Sequence, residues 1–335
     1  MSEDPTIKED ELQILLNVLG EKLELSFPPY NFNILEAQLT REGCKINLTC
    51  EERDFEDYLD NDWSDYEMPR YNDLAECLLN AGIIQYSNLD EFKKRVNTYR
   101  NLKRNIRFSP DTNLLYHGFF SNDEVIQLDE VLIMDIIRDE VEAQLNHKYT
   151  GNDISNIKRG VKYQRQSYDE LLYRRNKRSR KAAFLAMRDY LSIRDKVSHY
   201  EGIEKSRTSS EENDVILVKS LKEYQKTTYG LPVLLTADDT MTDICELHGI
   251  EYFLFKFPQV HLIDYGTFKQ MRDLVLNLAG VFGFIKLNSV IIFGEYIGKR
   301  GLDEYKIRFL DKKKKKSFLK NLLICRKLID LKILR

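Results

Sequence analysis

The sequence has few of the features that mark secreted, zinc-binding or membrane-spanning proteins. Its 335 residues include five cysteines, scattered without a CxxC pair. This spacing excludes the common zinc motifs and a dense disulfide framework. No apolar run approaches the ~20 residues that a membrane-spanning helix needs. The opening segment, MSEDPTIKEDEL, lacks the basic and apolar regions of a signal peptide, so we expect a cytoplasmic protein.

The chain also lacks the short motifs of several enzyme classes. It contains no GxxxxGK[ST] segment and no strand-linked GxGxxG segment, which excludes the familiar nucleotide-binding loops. Its five histidines form no HxxxH pair, so we do not expect a zinc site. Charge, in contrast, is abundant, because 31% of the residues are Asp, Glu, Lys or Arg.

This charge is distributed unevenly along the chain. Residues 1–100 hold 22 acidic and 10 basic residues, whereas the remainder holds 32 acidic and 41 basic residues. The segment 157–207 has 15 basic and 6 acidic residues, and 312–335 has 10 basic and 1 acidic residue. Such asymmetry often separates a partner-facing part from a solubilising or regulatory part, although chance unevenness would also produce it.

The central part of the chain alternates between strand-like and helix-like segments. Four short apolar runs, NIRFSP, EVLIMD, LPVLLTADD and EYFLFKF, are separated by segments with helical periodicity. The alternation predicts a parallel sheet flanked by helices over 105–258. We expect an acidic α+β domain over 1–104, with a helix at 7–25 followed by a β-hairpin. We expect 259–335 to add a helix, a β-hairpin and a basic helix.

Acidic residues flank the predicted elements at four places. Asp111 and Asp238 follow the first and third strands, Glu140 lies in the helix after the second, and Asp214 lies near a helix start. Ligands bind beyond the carboxyl ends of parallel strands, so we expect these four side chains to converge there. Clustered carboxylates repel unless a cation neutralises them, and Mg²⁺ and Mn²⁺ prefer such ligands. The pattern favours metal-assisted phosphodiester hydrolysis.

Each acid taken alone has a simpler explanation. Asp214 lies where a helix N-cap is expected, and Asp238 and Asp239 lie where turn residues are common. Asp139 or Glu142 could be the inward-facing acid in place of Glu140. The order of the four acids, more than any single one, favours a shared site.

Together these segments resemble the PIN-domain family of metal-dependent nucleases of the archaeal type. The similar segments are Asp111-Thr112-Asn113, Glu140 in IIRDEVE, Asp214 in NDVIL, and Thr236-Ala237-Asp238, within about 105–258. The resemblance implies a three-layer α/β/α core with a mainly parallel sheet and divalent-metal-dependent endonuclease activity, most often on RNA. It implies that Mg²⁺ or Mn²⁺ is held by Asp111, Glu140, Asp214 and Asp238. It also implies supporting roles for Asn113, Thr236 and Asp239.

The basic segment between Glu140 and Asp214 supplies candidate nucleic-acid contacts. Its Lys and Arg side chains would neutralise phosphates, and the interleaved Tyr163, Tyr168 and Tyr173 would stack on unpaired bases. A solvated, charged helical hairpin is the alternative interpretation. The candidate contact residues are Lys158, Arg159, Lys162, Arg165, Arg174, Arg175, Lys177, Arg178, Arg180 and Lys181.

Other partners and functions stay open at this stage. We favour RNA over DNA as the nucleic acid, and an anionic membrane surface is the least favoured partner of the basic helix that starts at Lys312. A homo-oligomer is left open. A catalytically silent PIN-like scaffold that binds nucleic acid or protein fits the same residues, as does a nuclease acting on single-stranded or structured DNA.

Overall fold

A computed structural model describes residues 4–56, 68–102, 104–122, 125–144, 148–172, 182–204, 210–260, 263–295 and 304–333. The strands are β1 (Thr6–Lys8), β2 (Lys22–Phe27), β3 (Phe32–Leu39), β4 (Cys44–Leu48), β5 (Ile106–Pro110), β6 (Leu132–Met134), β7 (Ser198–Tyr200), β8 (Leu231–Thr236), β9 (Glu251–Leu254), β10 (Tyr265–Gly266), β11 (Phe284–Leu287), β12 (Val290–Glu295) and β13 (Glu304–Phe309).

The α-helices are α1 (Leu12–Leu19), α2 (Glu52–Glu56), α3 (Tyr71–Asn80), α4 (Leu89–Asn101), α5 (Thr112–Tyr116), α6 (Phe119–Asn122), α7 (Asp135–Gln144), α8 (Gly151–Gly160), α9 (Ala182–Ile193), α10 (Ser210–Thr228), α11 (Asp239–His248), α12 (Phe268–Phe282) and α13 (Lys312–Asp330). Short 3-10 helices cover Glu9–Glu11, Leu128–Glu130 and Arg165–Leu171. No helix in the described ranges is long and apolar enough to cross a membrane.

The chain divides into two compact units, each assembled from separate segments. Unit 1 contains residues 1–77, 147–181 and 261–335, and unit 2 contains 78–146 and 182–260. The sequence predicts three consecutive domains, with boundaries near 104 and 258. The units gather distant segments because strands from the early and late parts of the chain pair with one another in unit 1.

Unit 1 is built on an eight-stranded antiparallel sheet. Its strand order is β1-β13-β12-β11-β2-β3-β4-β10. Both predicted hairpins are present, as β3 with β4 and as β12 with β13. Strand β11, which the periodicity did not reveal, pairs with β12 on one side and β2 on the other. The two hairpins therefore belong to one sheet.

The predicted helix over 7–25 is wrong outside Leu12–Leu19. Gly20 ends the helix with φ +101°, a backbone conformation that residues with a Cβ rarely adopt. Leu23, Leu25 and Phe27 then alternate as buried residues along β2. Alternate buried residues are typical of a strand with one face on the core, so this segment forms a strand and does not continue the helix before it.

Unit 2 contains the parallel strands predicted from the alternating pattern. Strands β5, β8 and β9 form one parallel sheet in that order, and β6 pairs with β7 in parallel. A single parallel bridge between Phe108 and Val131 lies beside these two sheets. The protein is thus a mixed α/β structure in which some sheets are parallel.

The segment 157–207 is not the uniformly helical insertion that its basic composition predicted. Its early part, in unit 1, has the end of α8 and a 3-10 helix, in which Tyr168 is buried. Its late part, in unit 2, contributes α9 and strand β7, which pairs with β6. Buried residues such as Leu185 on α9 make this part of the core of unit 2.

Candidate functional site

The carboxyl ends of β5 and β8 each deliver an acid to the start of a helix. Asp111 directly follows β5, and its carboxylate accepts a hydrogen bond from the Leu114 backbone N–H at 3.0 Å. Asp238 follows β8, and its carboxylate accepts from the Thr240 backbone N–H at 2.9 Å and the Thr240 hydroxyl at 2.8 Å. Both acids therefore serve as N-caps, and each keeps further acceptor sites on its carboxylate.

Thr236 connects these two acids. Its hydroxyl donates a short hydrogen bond to the carboxylate of Asp111 and accepts one from the Asp238 backbone N–H at 2.9 Å. Because Thr236 and Asp111 are both fully or almost fully buried, this contact fixes the orientation of the Asp111 side chain. The supporting role in a metal site that the resemblance implied for Thr236 stays a prediction.

Thr112 forms a second link, which sequence reasoning overlooked. Its hydroxyl donates to a carboxylate oxygen of Glu140 at 2.7 Å. Thr112 directly follows Asp111, so the link places Glu140 of α7 next to the Asp111 segment. The one signal in the sequence was that Thr112 occupies the first position of the helix that Asp111 caps.

The structure also distinguishes Glu140 from its acidic neighbours on α7. Asp139 is engaged by Arg138, with 3.0 Å between the carboxylate and guanidinium atoms. Glu142 is exposed. Asp139 and Glu140 are both partly buried, but among the three acids only Glu140 contacts Thr112 within the described residues.

Asp214 reaches the site from the body of α10. The helix begins at Ser210, so Asp214 is inside its second turn and is not the N-cap that one interpretation of the sequence expected. Asp214 is partly buried. Burial raises its pKa to about 6, and the negative charges of Glu140, Asp238 and Glu211 add to the rise.

The electrostatics of Asp111 indicate the same grouping. Burial raises the pKa of Asp111 to about 7, and the charges of Asp214 and Asp238 raise it further. Hydrogen bonds from Thr236 and Leu114 act in the opposite direction. Burial also raises the pKa of Glu140, opposed by the hydrogen bond from Thr112. The charges of Asp214 and Asp238 therefore act on Asp111, and the charge of Glu140 acts on Asp214.

The carboxylates of the four acids are suitable ligands for a hard divalent cation, but they are not arranged around one ion. All four acids offer carboxylate oxygens, and none forms an ion pair with Lys or Arg within the described ranges. Oxygen donors without a neutralising partner are the ligands that Mg²⁺ and Mn²⁺ prefer. However, no group of three or more acidic, His or Cys side chains in those ranges is arranged to hold a metal ion.

The other two predicted supporting residues, Asn113 and Asp239, make no side-chain hydrogen bond to the four acids within the described residues. Asn113 lies in α5, partly buried, and its side chain makes no hydrogen bond to any residue that the structure describes. Asp239 is exposed at the start of α11, where its backbone carbonyl accepts from the Thr242 hydroxyl at 2.6 Å. Their supporting roles stay predictions.

The candidate nucleic-acid contacts are described only in part. Lys158 pairs with Asp169 at 2.8 Å, and Arg165 donates to the Val161 carbonyl. Arg159 and Lys162 are exposed. Tyr168 is buried against Phe284, which leaves it unable to stack on a base, whereas Tyr163 is 43% exposed. Outside the described residues lie Arg174, Arg175, Lys177, Arg178, Arg180 and Lys181, together with Tyr173.

Comparisons with known proteins add little. No protein-family model matches the chain, and no curated protein matches it. A solved domain of a functionally unknown protein from Methanocaldococcus jannaschii DSM 2661 aligns with 46% of this chain and 94% of its own length. The sequence identity is 15% and the TM-score 0.27, a likeness too low to carry an argument about fold or function.

Proposed function

We propose that the protein is a divalent-metal-dependent endonuclease that hydrolyses phosphodiester bonds, with RNA favoured over DNA. One observation carries the proposal. Thr236 links the Asp111 carboxylate to the Asp238 backbone, Thr112 links Glu140 to the Asp111 segment, and the charge of Asp214 raises the pKa of Asp111. None of these four carboxylates has a basic partner within the described ranges. The proposal includes a PIN-like three-layer core for unit 2 and a cytoplasmic location.

In this proposal Asp111, Glu140, Asp214 and Asp238 hold Mg²⁺ or Mn²⁺. The chemistry that such an ion supplies is activation of a water molecule and neutralisation of charge at the phosphate. Thr236 holds the Asp111 carboxylate in one orientation, and Thr112 does the same for Glu140. Both threonines are positioning residues, because they act through the acids they contact.

The phosphate backbone would be bound by exposed basic residues, as first proposed from the sequence. Among those described, Arg159, Lys162 and Arg165 are exposed and make no ion pair in the described ranges, although Arg165 donates to the Val161 carbonyl. Each neutralised phosphate releases counterions, so binding should weaken steeply with salt. Tyr163 is exposed enough to stack on an unpaired base.

The test is cleavage of end-labelled RNA, single-stranded DNA and forked duplex by the full chain, with Mn²⁺, with Mg²⁺ and with EDTA. We expect cleavage of RNA that depends on the metal and falls by at least about a hundredfold in Asp111→Asn and Glu140→Gln. The matched control is Glu142→Gln, which removes an exposed acid from the same helix as Glu140.

Two results would refute this assignment. Activity that persists in Asp111→Asn, or that survives EDTA, would exclude the four acids as a metal site. Preferential cleavage of single-stranded DNA or forked duplex would leave the assignment of the metal site unchanged, but it would show that the substrate is DNA and not RNA.

A silent scaffold is the second candidate, and one observation favours it. Both carboxylate oxygens of Asp111 already accept hydrogen bonds, and no three candidate ligands in the described ranges are arranged around a shared ion. Such a protein would bind nucleic acid or protein without turnover. Salt-sensitive RNA binding, with no cleavage under any metal condition, would identify it.

A further inference from the structure

Helix α13 attaches to unit 1 through a narrow apolar strip. Phe318 and Leu322 are buried, and the Phe318 ring lies 5.3 Å from the ring of Phe309. Arg326 reaches Glu11 with N–O distances of 2.6 and 2.9 Å, which fastens the helix to the segment before α1. These contacts use one side of the helix and leave the opposite side outside the core.

That outward side carries large aliphatic residues. Leu319 and Leu323 are four positions apart, so they are neighbours on one helix face, and they are 39% and 56% exposed. Ile324 is also about half exposed, and Leu331 just after the helix is 69% exposed. An exposed aliphatic group of this extent, confined to one helix, is typical of a binding surface.

Lysines surround these aliphatic side chains. Lys312, Lys316 and Lys327 fall on the same face as Leu319 and Leu323, since the spacings of four, three, four and four residues follow the helical repeat. Lys313 and Lys320 lie beside this face. All five are exposed and make no ion pair within the described ranges, and Asp330 is the one acid along α13.

The combination of lysine and aliphatic residues on α13 favours an anionic lipid surface over single-stranded nucleic acid as the partner. Binding to single-stranded nucleic acid uses aromatic and arginine side chains that stack on bases. On α13 the aromatic Phe318 is buried and Arg326 is paired with Glu11. Leucine and isoleucine flanked by lysine match the boundary between lipid headgroups and acyl chains, where aliphatic groups insert and lysines contact phosphates.

We propose that the outward face of α13 binds the anionic surface of a lipid bilayer. In this arrangement Leu319, Leu323 and Ile324 enter the headgroup region, and Lys312, Lys316, Lys320 and Lys327 pair with lipid phosphates and carboxylates. From the sequence alone, a membrane surface is the least favoured partner of this helix. The exposure of its aliphatic side chains favours the membrane surface instead. The inference is independent of the acids around β5 and β8.

The test is co-sedimentation of the full chain with phosphatidylcholine vesicles that contain or lack phosphatidylserine, at about 0.1 M salt. We expect binding to the vesicles with phosphatidylserine and little binding to those without it. Lys316→Gln with Lys320→Gln should weaken binding about thirtyfold, because a lysine near an anionic surface contributes about fivefold. Leu319→Ser with Leu323→Ser should weaken it by at least about tenfold.

Matched controls come from exposed positions on other helices. Leu247, which is 82% exposed on α11, and Lys219, exposed on α10, allow Leu247→Ser and Lys219→Gln to test for nonspecific effects. Both should bind vesicles as the wild type does. The thermal unfolding midpoint of each variant shows whether it is folded, and the lysine pair decides the question if the leucine pair unfolds.

Three outcomes would overturn the inference. The wild type could fail to sediment with anionic vesicles. The two α13 variants could bind as tightly as the controls. Alternatively, an RNA oligonucleotide could compete with the vesicles for the protein, and its binding could require Lys316 and Lys320 but not Leu319 and Leu323. That result would show that this face of α13 binds nucleic acid.

Discussion

The hydroxyl of Thr236 donates a hydrogen bond to the buried carboxylate of Asp111, although the two residues lie 125 positions apart in the chain. The bond joins the ends of the parallel neighbours β5 and β8, because Thr236 is the last residue of β8 and Asp111 follows β5. Asp111 therefore depends on a residue from a different segment for its orientation.

Replacing Thr236 tests this dependence. Thr236→Val removes the donor and leaves a buried carboxylate with one partner fewer, which should destabilise the protein by about 1–2 kcal/mol. The loss also raises the pKa of Asp111, since that hydrogen bond lowers it. Thr236→Ser keeps the hydroxyl and is the control. Urea unfolding of the two variants checks the prediction, and equal stability would contradict it.

Buried acids should make the stability of the protein depend on pH. The pKa of Asp111 rises to about 7 and that of Asp214 to about 6, above their ordinary value of 3.8. The folded state then binds more protons than the unfolded state between about pH 4 and pH 7, so stability falls as pH rises through this range. Asp189, also buried with a pKa of about 7, contributes in the same direction.

The variant Asp111→Asn measures how much Asp111 alone contributes to the pH dependence of stability. The variant carries no charge at this position, so above pH 7 it should be more stable than the wild type by roughly 1–3 kcal/mol. The advantage should disappear near pH 4. Unfolding curves at a series of pH values measure the difference. A constant difference across the range would show that Asp111 does not titrate in the folded protein.

Addition of Mn²⁺ should stabilise the wild type through the acid cluster. A ligand that binds the folded state alone raises the unfolding temperature, and at 100 times its Kd the gain is about 2.7 kcal/mol. Asp111→Asn and Asp214→Asn should lose most of this gain, whereas Glu142→Gln should retain it. Differential scanning calorimetry with Mn²⁺ and with EDTA makes the comparison. Equal gains in all three variants would place the metal elsewhere.

The interleaved tyrosines of the basic segment should behave differently from one another. Tyr168 is buried against Phe284, so Tyr168→Ala should destabilise the protein by about 3–5 kcal/mol. Tyr163 is 43% exposed, so Tyr163→Ala should change stability by less than about 0.5 kcal/mol. Urea unfolding separates these values. Binding of an RNA oligonucleotide to Tyr163→Ala then tests whether this ring stacks on a base.

Much of the local structure followed from the sequence. The hairpin of β3 and β4, the strands β5, β6, β8 and β9, and helices α4 and α12 lie close to where periodicity placed them. The failures occurred where a local pattern competed with a distant partner. Strand β7 is three residues long and is held by pairing with β6, more than sixty positions earlier, so its sequence alone carried almost no signal.

The candidate site shows the same division. The positions of Asp111 and Asp238 after strands were predictable, because turns and N-caps follow strand ends in the sequence. The choice of Glu140 over Asp139 and Glu142 was not, since it depends on the side of α7 that contacts Thr112. Spacing on one helix cannot reveal which side another segment will cover.

By itself the sequence determined the alternation of strands and helices over 105–258, the four acids in their order, and the uneven charge. These are local properties, set by the periodicity and chemistry of neighbouring residues. Only the tertiary structure decided that strands from both parts of the chain share one sheet, that Thr236 orients Asp111, and that Leu319 and Leu323 of α13 stay exposed. Each of these depends on contacts between distant segments, and such contacts form only when the chain buries its apolar surface.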